Sequence, residues 1–372
     1  TALSAHDFQQ GCGANDLVLS RASRDGDAPT VASRWVVRML NLMNGLGEPG
    51  KAAVKAISDR GQYWIDLSQN IDGPVPKGVP APRPAPVPPI NKRFDHLSVT
   101  QIEKLIRDPY SVYAQKTLSL QRLDSLGREP DALIRGIALH KVVEQFAQDF
   151  PETLPDNAQA ALMEIAQTVL QNEVPWPALQ RIWLARLARI SGWFVDGEMN
   201  RRSWATIVGQ EVEGMRVEEE LNFKLTAKAD RIDQTQDGDL VIYDYKSGSP
   251  PTRPQTEFFN KQLQLEAAIA TVGGFEGLPP AEPVGLEYIG LSGAGLEQEG
   301  KTLTLDTSRA QAEETWQELV QLIASYRQAE KGFPSRMRME QTSFAYDFDH
   351  LARIGEWEES DEPMELPVGT AK

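Results

Sequence analysis

The chain has 372 residues, 41% of them hydrophobic, with a formal net charge of −15 and one cysteine. That is length for two or three domains with real cores, and no apolar run approaches the roughly 20 residues of a membrane span. One cysteine excludes an intrachain disulfide, a four-cysteine zinc site or an iron–sulphur cluster, and the net charge repels polyanions, which argues against a simple nucleic-acid-binding module.

In chain order, the start Thr1-Ala2-Leu3-Ser4-Ala5-His6 lacks both a signal sequence and an initiator methionine, so it reads as a fragment or processed product of something longer. Cys12 reads as a small core residue, and the lack of disulfides fits a cytoplasmic location. Residues 1–72 predict a short strand at Leu17 to Ser20 and helices at Val31 to Leu46 and Gly50 to Gln69, with a modest core at best. From Pro74 to Pro89, eight of sixteen residues are proline, which predicts a polyproline II tether within a linker at 73–92.

The remainder, 93–372, predicts helices at Ser98 to Lys116, Asp131 to Phe150, Asn157 to Asn172 and Ala178 to Arg202. Strands follow at Thr206 to Val212, Val217 to Ile232 and Leu240 to Lys246, then a helix at Thr256 to Ala270, a strand at Val284 to Leu291 and a helix at Thr307 to Glu330. Trp176, Trp183, Trp193 and Trp204 read as filling between helix and sheet. Arg181, Arg186, Arg189, Arg201 and Arg202, and a second cluster of Lys331, Arg336 and Arg338, could flank a strand channel, although a charged helical surface is the default reading.

The chemistry concentrates in Ala229-Asp230-Arg231-Ile232-Asp233 and Asp244-Tyr245-Lys246. The stretch between them carries hairpin-turn residues. A two-residue Asp237-Gly238 turn would set Asp230 opposite Tyr245, whereas a three-residue loop, Gln236 to Gly238, sets Asp230 opposite Asp244. The second register is preferred; it places Asp230, Asp244 and Lys246 on one face and turns Asp233 away. Adjacent carboxylates persist when a cation or proton lies between them, and hard oxygen ligands favour Mg2+ or Mn2+. A surface hairpin with a salt bridge is the commoner meaning of an arbitrary acidic pair, but the apolar run around Asp244 implies burial on both faces, where charges need partners.

Asp230 followed by Asp244-x-Lys246 resembles the PD-(D/E)XK nuclease superfamily, in its RecB-like branch. Arg135-Gly136-Ile137-Ala138-Leu139-His140 resembles that branch's metal-binding helix, Gln262-Leu263 its glutamine motif, and Leu97 to Ile102 its opening segment. The resemblance implies an α/β restriction-endonuclease-like fold, a mixed β-sheet flanked by helices. It implies metal ligands at His140, Asp230, Asp244 and the Tyr245 carbonyl, a catalytic Lys246, and Gln262 holding the lysine or the DNA. Glu144, one turn after His140, and Glu211 on the preceding strand are candidates for the cleft, each balanced by a solvated-charge reading.

Many relatives in this branch carry cluster cysteines, the first before a proline; here that position is Asp108, and packing is expected to hold the two ends of the domain together. The region before the prolines resembles the end of an inactive helicase-like domain, and no phosphate-binding loop occurs. This order resembles the C-terminal part of AddB, of the bacterial AddAB double-strand-break repair helicase–nucleases. It implies a Mg2+- or Mn2+-dependent deoxyribonuclease without an iron–sulphur cluster, cutting a DNA strand unwound with an AddA-like partner subunit. A catalytically silent DNA-guiding subunit and a stand-alone RecB-like exonuclease are the alternatives.

Overall fold

Leu240 to Tyr245 is buried at every position, because this strand lies mid-sheet with helices over both faces. The computed structural model describes residues 2–72, 78–123, 131–294, 299–339 and 346–369, in two compact units, Thr1–Val79 and Pro80–Lys372.

The first unit holds α1 (Ala2–Gly11), two-residue strands β1 (Arg24–Asp25) and β2 (Ala28–Pro29), α2 (Arg34–Gly45) and α3 (Glu48–Ile71). The strand expected at Leu17 to Ser20 is absent: these residues are exposed, with no neighbouring strand among the described residues to take their backbone groups. Leu42, Tyr63, Trp64 and Ile71 are exposed, and Gly50 alone among the described residues of α2 and α3 is buried, so the core is slight. Cys12 is half-buried.

The second unit runs β3 (Pro84–Val87), β4 (His96–Ser98), α4 (Val99–Arg107), α5 (Pro109–Val112), α6 (Ala132–Asp149), α7 (Ala158–Glu173) and α8 (Pro177–Arg202). It continues β5 (Ala205–Glu218), β6 (Phe223–Thr235), β7 (Leu240–Lys246), α9 (Arg253–Phe258), α10 (Gln262–Ala270), β8 (Pro283–Gly290), β9 (Lys301–Asp306), α11 (Arg309–Ser325), α12 (Asp349–Ala352) and β10 (Met364–Pro367). The mixed sheet has the order β4-β6-β7-β8-β9, with β5 also on β6. Pairing is parallel for β4–β6 and β7–β8 and antiparallel for the rest. Along β7, Leu240 and Ile242 pack with α4, α10 and α11, while Val241, Tyr243 and Tyr245 pack with α6, α7 and α8. No helix among the described residues is long and apolar enough to cross a membrane.

Several boundaries differ from expectation for local reasons. The helix expected from Ser98 to Lys116 breaks at Asp108, whose φ of −142° and ψ of 77° lie outside the α region that a following proline disfavours. The strand expected from Val217 is two strands: Val217 and Glu218 end β5, and the chain reverses over Glu219–Asn222, with Asn222 in the left-handed region. The helix expected over Thr256 to Ala270 is interrupted at Phe259–Lys261, which leaves Phe258 exposed and puts Gln262 in the first turn of α10.

From Pro80 onward the proline-rich segment belongs to the second unit, and Pro84–Val87 is a strand. β3 pairs in parallel with β10, and the carbonyls of Pro84 and Pro86 accept from the N–H groups of Ser335 and Phe333. Prolines without N–H groups still serve an edge strand as acceptors. The expected linker residues 73–77 lie outside the described residues.

Candidate active site

The hairpin's register follows from its turn. Gly238, with φ of +89°, closes the three-residue loop Gln236 to Gly238, and Thr235 and Asp239 bond across it. The ladder then pairs Gln234 with Leu240 and Arg231 with Tyr243, so the next step sets Asp230 across from Asp244. There the strands part, and the backbone N–H of Tyr245 donates to Asp230 Oδ2 at 2.8 Å.

The shared face expected for Asp230, Asp244 and Lys246 is corrected by the structure. Phe223, Leu225, Ala227 and Ala229 share a core with Ile232, so the alternation of β6 slips by one across Asp230–Arg231. Asp230 consequently faces α6, while Asp244 and Lys246 face α10; they converge at the edge where β6 and β7 separate.

On the α10 side, Lys246 Nζ lies 2.7 Å from Asp244 Oδ2 and donates to Gln262 Oε1 at 3.1 Å. The other end of the same amide, Nε2, donates to Asp244 Oδ1 at 2.6 Å. Burial pushes the Asp244 carboxyl up to about 6; Lys246 opposes this, and Asp230 adds to it. Glu266, one turn after Gln262, was not foreseen, although its i+4 spacing from Gln262 was the available signal. It accepts from Gln262 Nε2 at 3.3 Å, and its Oε2 has no hydrogen-bond partner. Burial first, then Asp244 and Asp230, raise it well above the usual carboxylate range.

On the α6 side, His140 Nδ1 lies 3.5 Å from Asp230 Oδ1 at the wall of a cleft of about 600 Å3, lined also by Glu144, Glu211 and Lys228. His140, Glu211 and Asp230 each bring a ligand atom within 4.8 Å of the others. Glu211 achieves this through its backbone: a φ of +52° is costly for a residue with a Cβ, and the β5–β6 ladder omits the step from Glu211 to Asp230. Burial works against a charged His140, but Asp230, Asp244 and the Tyr245 backbone outweigh it and raise its pKa. The place therefore attracts positive charge, and carboxylates with one imidazole and a nearby carbonyl suit Mg2+ or Mn2+. The donor set fits the ion that the family resemblance implies.

Asp233 lies elsewhere. Fully buried, it holds Arg231 at 2.6 Å, and Arg231 reaches Glu198 of α8 at 2.7 Å. Arg201 and Arg202 pair with the same Glu198, and Arg336 pairs with Asp349 and Glu359, so these three arginines of the expected basic clusters serve the interior. Trp183 is buried and Trp193 half-buried against helices and sheet, whereas Trp204 is exposed.

A family model described as the PD-(D/E)XK nuclease superfamily matches residues 96–338. An uncharacterized protein of Rickettsia typhi is 34% identical over 187 residues, 48% of this chain and 22% of its own length. Another, of Rickettsia bellii, is 27% identical over 270 residues, 68% of this chain and 31% of its own length. The chain thus covers between about a fifth and a third of these relatives. A crystal structure of SSO0001 aligns at 14% identity with a TM-score of 0.25, over 61% of this chain and 76% of that one.

Proposed function

This chain belongs to the PD-(D/E)XK nuclease superfamily, and from that premise we propose that it hydrolyses phosphodiester bonds of DNA with a divalent metal ion, Mg2+ or Mn2+. The observation that carries the reading is the convergence of Asp244, Lys246 and Gln262 with His140, Asp230 and Glu211 where β6 and β7 part.

His140, Asp230, Glu211, Asp244 and the Tyr245 carbonyl would hold the ion. Bound there, it supplies a water of lowered pKa and neutralises charge on the phosphate. Lys246, held by Asp244 and Gln262, presents a fixed ammonium to the attacking water or to a non-bridging oxygen. Gln262 fixes the distance between that ammonium and the carboxylate, so the pair arrives preorganised.

The finer reading is a nuclease module of an AddAB-type double-strand-break repair helicase–nuclease in the cytoplasm, cutting an unwound strand beside an AddA-like subunit. Its supports are the sequence order of helicase-like remnant, prolines and nuclease, and relatives three to five times the matched length. A partner motor that feeds DNA in would also reconcile a nuclease with a net charge of −15.

The test is incubation with end-labelled single-stranded DNA in Mg2+ or Mn2+, with and without chelator, beside Asp244→Ala and Lys246→Ala. Metal-dependent cleavage lost in both variants supports the proposal, and cleavage that survives both sinks it. Cleavage by no form, even with an AddA-like subunit added, would favour a silent DNA-guiding subunit.

A further inference from the structure

Lys228 lines the cleft under α6 at its edge. That lysine also lines a second cavity, of about 540 Å3, bounded by Ser98 and Thr100 at the start of α4, Met215 of β5, Lys224 of β6 and Gln262 of α10. We propose that this cavity receives nucleotides adjoining the scissile phosphate of an unpaired DNA strand. The inference rests on the nuclease reading above and names its substrate class.

Lys228 belongs to both cavities, and Gln262, which bonds Asp244 and Lys246, forms part of the second, so that cavity adjoins the metal site. Lys224 and Lys228 lie four residues apart on one face of β6, about 13 Å along the strand. Lys228 is held by Glu211, whereas the exposed Lys224 ammonium has no hydrogen-bond or ion-pair partner among the described residues. It is a free cation about 20 Å from Asp230 along the strand, at the height where a phosphate about three nucleotides on would pass, in a cavity wall that includes Thr100.

The same sheet face suits a base between the two lysines. Met215 is 55% exposed and stands across from Thr226 in the β5–β6 ladder, an apolar surface open to the cavity. Glu213 and Glu276 also line the cavity; Glu213 stands across from Lys228 in the β5–β6 ladder, which leaves Lys224 as the cation for a phosphate, and both carboxylates can accept from exocyclic amino groups of a base. The volume lies in the range of small-ligand sites. A concavity of that size takes a base only after it leaves its stack, which selects an unpaired strand over a duplex.

The test uses the whole chain in Ca2+ with fluorescein-labelled oligothymidylates of two and eight residues, read by anisotropy across salt concentrations. Lys224→Met is expected to weaken the octamer about tenfold and lower the salt slope by about one, leaving the dimer unaffected. Met215→Ser is expected to weaken the octamer without changing the slope. Variants that melt with the wild type yet bind the octamer unchanged overturn the proposal, as does a wild-type preference for a hairpin duplex or no binding at all. Failure of the nuclease reading is separate: it shows as uncut DNA in Mg2+ and Mn2+ while these binding differences stand.

Discussion

The side-chain amide of Gln262 accepts from Lys246 Nζ at 3.1 Å through Oε1 and holds the carboxylate that neutralises the same ammonium through Nε2. A glutamine so placed fixes the lysine's position without changing its charge. Gln262→Ala is expected to lower kcat by about 10- to 100-fold with little effect on metal affinity, the range usual for groups that orient a site. Single-turnover cleavage beside a metal titration checks this; equal loss of both would place Gln262 in the metal site instead.

Metal affinity is assigned to the other side of the sheet edge. His140→Ala and Glu211→Ala are each expected to weaken Mn2+ binding at least about tenfold, while Lys246→Ala binds Mn2+ as well as or better than the wild type, because a competing cation is gone. Calorimetric or EPR titration of Mn2+ decides it. Unchanged affinity in Glu211→Ala would mean that its left-handed backbone serves Lys228 alone.

How much of this arrangement was legible in the sequence depends on the range of the interaction. The loop with Gly238 in its left-handed position, and therefore the Asp230–Asp244 register, is local chemistry and was readable. The slip of alternation at Asp230 was not. It depends on β5, where Val208 is the extra residue of a bulge and Glu211 adopts a positive φ, and neither residue type announces such a backbone. The burial of Arg201, Arg202 and Arg336 was hidden for the same reason: their carboxylate partners are non-local or, as with Glu198, look like ordinary helix-surface charges in one dimension.

Glu198 carries a pH dependence of its own. Burial pushes its carboxyl up, but Arg231, Arg201 and Arg202 outweigh that and hold it at about 2, below the ordinary value of 4.5. A depressed folded-state pKa means stability that is full above about 4.5 and lost as pH falls toward 2, on the order of 3 kcal/mol for this one group. Urea midpoints of the wild type are therefore expected to fall across that window. Glu198→Gln should be less stable at pH 7 by roughly 3–5 kcal/mol, since Arg231, Arg201 and Arg202 lose the buried carboxylate they share and Arg231 keeps only the Asp233 carboxylate, and should show a shallower acid dependence. Parallel pH profiles for the two proteins would refute the assignment.

The ends of the second unit are tied by hydrogen bonds as well as packing, contrary to the expectation of packing alone. Arg83 donates to the carbonyls of Ser335 and Arg336 at 2.9 and 2.7 Å and to those of Glu359 and Asp361 at 2.7 and 3.0 Å. Its guanidinium also lies 5.7 Å from the Trp357 ring. Asp108, the residue in place of the first cluster cysteine of the resembled relatives, accepts from the Arg336 N–H at 2.9 Å, so it too anchors the returning chain. One planar group with its donors in a fixed fork thus gathers two segments more than 250 residues away around β3. Arg83→Met leaves four carbonyls to be rehydrated or orphaned and is expected to cost about 3–5 kcal/mol. Arg83→Lys should recover little, because an ammonium cannot reach four acceptors in that geometry. Urea unfolding followed by tryptophan fluorescence measures both, and a wild-type midpoint for Arg83→Met would show that the β3–β10 pairing holds the ends without the arginine.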